Sequence, residues 1–131
     1  MVYKMYRIVF SVIPSKKLGI RDFTEAEIQK KLLRIKKRAI KDYDGYTLYE
    51  AKGGYMFSQT KLYVIDERTY ILEVSTDKKI KEVKKFVKEI GEMFKQESVL
   101  LITMGKSDLI MTGEDEKKDN KKKDKKNDKK G

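Results

Sequence analysis

The residue types able to do chemistry in this chain are few, because its 131 residues include no Cys, no His and no Trp. Disulfides, zinc–thiolate centres, Cys nucleophiles and Ser-His-Asp triads are excluded, so any catalysis runs on Asp, Glu, Lys, Tyr, Ser or Thr. Three groupings stand out. Asp66-Glu67, together with Glu50 or Glu73, has the makings of a metal–carboxylate site for phosphodiester cleavage. Adjacent acids at a turn are normally solvated, however, and no catalytic residue or metal ligand is assigned from that pattern. The second grouping is Tyr46, Tyr49, Tyr55, Glu67, Thr69, Gln96, Glu97 and Ser98. It reads either as a ligand-binding pocket for a small molecule or as a hydrogen-bonded corner that fixes strand order. The third is Lys30, Lys31, Arg34, Lys37, Arg38 and Lys41, in a stretch from Ile28 to Lys41 that contains no acid. Such a stripe either meets nucleic acid or another anionic partner, or faces solvent with its last-turn cations complementing the helix dipole. Gly53-Gly54 lacks the context of a phosphate-cradling loop, and no cofactor is expected.

Positioning these groups falls to six expected elements. Residues 3–13 alternate as a strand, with Tyr6, Ile8, Phe10 and Val12 on one wholly apolar face. Thr24 and Glu27 have capping-box spacing, with Phe23 placed to staple onto Ile28, and Ile28, Leu32, Ile35 and Ala39 then recur at helical intervals up to Asp44-Gly45. Tyr46 to Phe57 and Lys61 to Val74 read as two strands of an antiparallel hairpin, either regular or carrying a bulge, with turn signals at Gly53-Gly54 and Asp66-Arg68. Thr76 or Asp77 is placed to cap a second helix whose buried stripe is Ile80, Val83, Val87, Ile90 and Phe94. Val99 to Met104 closes the body as a strand apolar on both faces, the pattern of a central strand. The order is β-α-β-β-α-β, a ferredoxin-like α+β sandwich with two helices on one face of a four-stranded antiparallel sheet.

Lys and Arg number 32 against 21 Asp and Glu, a formal charge of +11. Residues 113–131 carry nine Lys, six acids and no apolar residue, a composition expected to form a disordered tail behind a 1–112 domain. The tail accounts for +3, leaving +8 on the body. In the second helix Lys78-Glu82, Lys85-Glu89 and Lys88-Glu92 have i,i+4 spacing and are expected to neutralise one another, so the excess charge concentrates on the first helix. The apolar run Ile8 to Ile13 is too short, with Pro14 behind it, for a secretory or membrane segment, and a cytoplasmic location with no membrane partner is expected.

Three phrases carry a resemblance: Asp44-Gly45-Tyr46-Thr47 through Ala51-Lys52-Gly53-Gly54-Tyr55, then Glu67-Arg68-Thr69, then Phe94-Lys95-Gln96-Glu97-Ser98-Val99-Leu100. Together they resemble a small bacterial and phage family of uncharacterised ferredoxin-like domains that carries DGxTxxxAxGxW, ExS and FxQESVL phrases. Tyr55 stands where that family usually has Trp, and Thr69 where it usually has Ser. The resemblance implies the fold and no activity. On these grounds the expected function is a non-enzymatic interaction and assembly module, homodimeric through the open sheet face. The alternatives are a small-molecule-binding or catalytic dimeric α/β-barrel domain, and weak non-specific nucleic-acid binding by the basic helix.

Overall fold

The computed structural model describes residues 3–43, 45–56, 63–103 and 106–113. Strand β1 (Lys4–Ser11) buries Tyr6, Ile8 and Phe10 as its alternation requires, and Val12 continues the row. Helix α1 (Glu25–Tyr43) starts at the expected capping box, in which the Glu27 amide donates to Thr24 Oγ1 at 3.2 Å and the Thr24 amide to Glu27 Oε1 at 2.8 Å. Phe23 sets its ring edge-on to Phe94, with centroids 6.1 Å apart. Helix α2 (Ile80–Met93) buries Val83, Phe86, Val87 and Ile90. Its N-cap is Lys79 without a side-chain cap; Thr76 Oγ1 instead accepts the Lys78 amide at 3.0 Å.

Strands β2 (Thr47–Met56) and β3 (Tyr63–Thr76) form one long antiparallel ladder, and both turn signals of the sequence fall inside it. Gly53 pairs with Glu67 and Tyr55 with Val64, so the strands slip between these pairs, and Asp66 takes a left-handed φ of 56°. This is a β-bulge, which bends the hairpin without ending it. Gly53 fits closely there, since a Cβ on it would sit 2.8 Å from Thr69 Oγ1 and force that side chain to shift.

The sheet has five strands, and the expected count of four is corrected. After β4 (Ser98–Thr103) the chain returns as β5 (Lys106–Met111), pairing antiparallel with β4 from Ser98–Met111 to Thr103–Lys106. The order is β2-β3-β1-β4-β5, antiparallel throughout, in an α+β fold. β5 supplies Ile110 to the core, and the following Thr112 is buried against α2, where a Cβ on Gly91 would lie 2.5 Å from the Thr112 side chain. The core joins the even-numbered positions of β1 to Leu72 and Val74 of β3, Val99 and Leu101 of β4, and the inner stripes of both helices. No helix among the described residues is long and apolar enough to cross a membrane. The Lys/Asp-rich tail after Gly113 lies outside the described residues.

Candidate functional site

Helix-to-strand junctions gather polar groups because the last helical carbonyls need donors and the next strand's register must be fixed. At the end of α2 Lys95 takes a left-handed φ of 54°, and the Gln96 amide donates to the Gly91 carbonyl at 2.8 Å. Gln96 Nε2 then donates to the Ile13 carbonyl at 2.6 Å and to the Phe94 carbonyl at 3.0 Å. The Ser15 amide donates to the Lys95 carbonyl at 2.8 Å, which ties the segment after β1 to this junction. Thr112 seals the other side, its hydroxyl donating to the Gln96 carbonyl at 2.6 Å and its amide to the Glu97 carbonyl at 2.7 Å. Gln96 is thus committed to holding the corner together.

The same end of the sheet carries Glu67 on the open face of β3. Burial pushes its carboxyl above the usual carboxylate range; a hydrogen bond from Ser11 and the charge of Lys16 pull it back, and Asp22 adds to the rise. Lys16 opens a short 3-10 turn, Lys16–Leu18, whose next residue reaches Glu97, with Lys17 Nζ 3.1 Å from Glu97 Oε1. Thr69 Oγ1 donates to the Glu67 carbonyl at 3.0 Å and stands across from Ser11 in the β1–β3 register. Ser11, Lys16, Lys17, Glu67, Thr69 and Glu97 therefore cluster at one end of the sheet around a half-buried carboxyl of raised proton affinity. Such a group, near a cation and a hydroxyl donor, is suited to meeting a positively charged ligand or to moving a proton.

The cluster differs from the expected one in membership. Tyr49 faces Ile71, four residues along β3 from Glu67 or about 13 Å at strand rise, and its hydroxyl donates to Glu73 Oε2 at 3.2 Å. Tyr46 lies further still in that direction, partly buried against the core. Both are removed from the site. The Tyr55 side chain lies outside the described residues. Ser98 pairs with Met111 at the start of β4, beside the cluster. Ser11, Lys16, Lys17 and Asp22 were missed, although Ser11 is the one polar interruption in the apolar run and Lys16-Lys17 follows Pro14-Ser15. The carboxylate set proposed for metal also disperses. Glu50 is taken by Arg68 on the helix side, Glu73 by Arg7 at 2.6 Å on the open side, and no group of three acids fit to hold a metal exists among the described residues.

The basic helix forms a second surface. Lys30, Arg34, Lys37 and Lys41 are exposed along α1, and Lys31, Arg34 and Arg38 border a groove of about 450 Å³ between α1 and α2 that Glu89, Glu92 and Lys95 close from the far side. Arg38 bridges the helices, pairing with Asp42 at 2.9 Å and with Glu89. Glu89 therefore serves α1 where the spacing pointed to Lys85.

The class defined by these features is a small α+β domain with a five-stranded antiparallel sheet, one face covered by two helices, and a polar cluster at one sheet end. No protein-family model matches the chain, and no curated protein matches it. Among solved structures it is similar to a phage SAM lyase in complex with S-methyl-5'-thioadenosine, with a TM-score of 0.61 and 21% identity over 83% of this chain and 89% of that one. A phage SAM lyase in the apo state gives a TM-score of 0.57 and 20% identity over 82% and 88% of the two chains. At this identity the likeness is one of fold, and its neighbours come from phage. It overturns the expectation of a non-enzymatic assembly module, because the fold is shared nearly end to end with an enzyme.

Proposed function

We propose that this chain is a lyase acting on S-adenosylmethionine, with Glu67 as the residue that meets the substrate's sulfonium. The observation that carries the reading is the half-buried Glu67 carboxyl, of raised proton affinity, in a fold shared with phage SAM lyase. Lyase cleavage that leaves S-methyl-5'-thioadenosine breaks the bond between sulfur and the aminobutyryl carbon. The electron pair stays on sulfur, which becomes a neutral thioether, while the fragment's own carboxylate oxygen bonds to the carbon that sulfur leaves, so that the four-carbon fragment departs as a lactone without water. An ionised Glu67 attracts the cationic sulfonium in the ground state, and the attraction fades as the charge disappears. Its contribution therefore falls on substrate binding more than on the chemical step. The bond-breaking itself gains from a poorly solvated site, since charge is dispersed as it proceeds. Lys17 and Glu97 flank the cluster and are positioned to meet the substrate's amino-acid end. We read β1 to β4 with the two helices as a ferredoxin-like unit to which β5 is added, and the open face of its sheet as the surface where a second copy packs.

The test is incubation of the full chain with S-adenosylmethionine and chromatographic detection of S-methyl-5'-thioadenosine. Turnover by the wild type with a raised KM for Glu67→Gln is expected. Absence of the thioether product with a folded chain at high enzyme concentration refutes the reading.

A further inference from the structure

Four of the five arginines are matched to carboxylates: Arg7 to Glu73, Arg21 to Glu27, Arg38 to Asp42 and Glu89, and Arg68 to Glu25 and Glu50. Arg34 has no ion pair among the described residues, and it stands in the acid-free stretch from Ile28 to Lys41. It borders the interhelical groove beside Lys31, and the left-handed turn at Lys95 brings a third cation to the same groove from the end of α2. Lys31 is held over the Phe23 ring, with Nζ 4.5 Å from the centroid. Burial first, and then the charges of Lys95 and Arg34, push its ammonium below the usual lysine range. Of the two carboxylates in the groove, Glu89 is already spent on Arg38. Like charges gathered this way repel one another, and a bound anion would relieve that repulsion.

The shape of the groove selects the kind of anion. Its floor is closed, because Ile35, Phe86 and Ile90 are exposed by only 1%, 2% and 0%, and the Arg38 guanidinium lies 5.2 Å from the Phe86 ring centroid. No aromatic face is open to stack a base, so a ligand is held by its charge alone. The cations also continue out of the groove along α1 through Lys30, Lys37 and Lys41, all exposed. From Lys30 to Lys41 the helix rises about 16 Å, roughly the axial length of five successive phosphates of one strand. A lone phosphate would fill one corner of this surface, whereas a chain of phosphates engages all of it.

We propose that the groove between α1 and α2, together with the outer stripe of α1, binds the sugar-phosphate backbone of nucleic acid without reading its sequence. The surface lies on the helical layer, apart from Glu67, and is independent of the lyase reading. The measurement is fluorescence anisotropy of the full chain with labelled single-stranded DNA, single-stranded RNA and duplex DNA of mixed sequence. Salt is varied between about 50 mM and about 200 mM, over which binding carried by several phosphate contacts weakens steeply. The double variant Arg34→Gln, Lys95→Gln is expected to bind about tenfold more weakly at the lower salt, with the logarithmic salt slope on single strands reduced by about 1.4 for two lost contacts. Lys4→Gln, Lys52→Gln removes the same net charge from the sheet and is expected to leave affinity within about twofold. Single-stranded DNA and RNA should bind alike. The proposal is overturned by an equal loss in the sheet variant, by an unchanged salt slope in the groove variant, or by a tenfold preference for one sugar. It also fails if the wild type binds phosphatidylglycerol vesicles and no oligonucleotide. If the double variant does not fold, Lys31→Gln alone must lower affinity and slope, and wild-type values for it likewise overturn the proposal.

Discussion

Lys17 Nζ lies 3.1 Å from Glu97 Oε1, while its neighbour Lys16 lends positive charge to Glu67. One short turn thus supplies cations to two acids brought together only by folding. The two lysines should be separable in solution. Lys16→Gln removes a charge that favours ionised Glu67, so Glu67 should titrate at higher pH than in the wild type; Lys17→Gln should leave it in place. Both lysines are exposed, and each substitution is expected to change stability by less than about 1 kcal/mol. Carboxyl-detected NMR titration reads the first effect and chemical denaturation the second.

Glu67 should be worth more to activity than to the fold. Its folded-state proton affinity is raised by burial, so folding favours its neutral form. That contribution is fully present below the unfolded carboxyl value and is lost as pH rises through the folded one. Glu67→Gln is therefore expected to melt about a few degrees higher than the wild type at pH 7 and to match it near pH 4, while losing substrate affinity. Affinity of the wild type for a cationic ligand should rise with pH across the same window. Thermal melts at the two pH values decide it, and a lower melting temperature for the variant at pH 7 would count against burial as the cause.

How much of this was readable beforehand depends on whether the signal was local. The capping box at Thr24-Glu27, the alternation of Tyr6, Ile8 and Phe10, and the α2 stripe each depend on neighbours in sequence, and each is realised. β5 was missed because Lys106-Ser107-Asp108 reads as polar trailing chain. The one hint was β4, whose apolar pattern is that of a central strand, and β4 is indeed paired on both edges, with β1 and with β5. The cluster was half legible. Glu67, Thr69 and Glu97 were marked by type, but the turn that brings Lys16 and Lys17 to the acids depends on contacts between segments far apart in sequence. Tyr49 was misplaced because the pairing register of β2 on β3 is not a local signal: Tyr49 pairs with Ile71, and the unbroken ladder from there to Gly53–Glu67 sets it four residues along the strand from Glu67.

The bulge itself offers a double-mutant cycle. A Cβ on Gly53 would approach Thr69 Oγ1 to 2.8 Å but the Thr69 Cβ only to 3.6 Å. Gly53→Ala should therefore cost about 1 kcal/mol through overpacking, and most of that cost should vanish on a Thr69→Ala background. Equal costs on the two backgrounds, measured by urea denaturation, would place the strain elsewhere.

Arg68 is the hub that docks the start of α1 onto the hairpin. Its guanidinium donates to Glu25 at 3.0 Å through one nitrogen and to the Tyr70 hydroxyl at 2.7 Å, and it pairs with Glu50. Hydrogen bonds from Arg68 first, and from Gln29, hold the Glu25 carboxyl down at about 2. Because that folded value is depressed, the stability it confers is present above the ordinary carboxyl value and lost as pH falls through about 2. Arg68→Ala should return Glu25 towards the ordinary range, which NMR titration can follow. The groups are largely exposed, so the accompanying loss of melting temperature should be about a few degrees at low salt and smaller at high salt.

The open sheet face bears Val9, Ile71, Leu100 and Ile102, with Arg7 and Glu73 neutralising each other at 2.6 Å. Both helices lie on the opposite side, so these apolar side chains have no cover among the described residues, and the proposed packing of a second copy would supply one that matches them in kind. Val9→Lys with Ile102→Lys puts two cations on the face without touching the buried rows of β1 and β4. It should convert an oligomer to monomer while leaving the fold intact, because both positions point away from the core. Sedimentation equilibrium gives the mass directly. A wild-type mass equal to the single-chain 15.4 kDa at high protein concentration would reject self-association through this face. If the wild type is larger and the double variant is not reduced, the copies meet elsewhere.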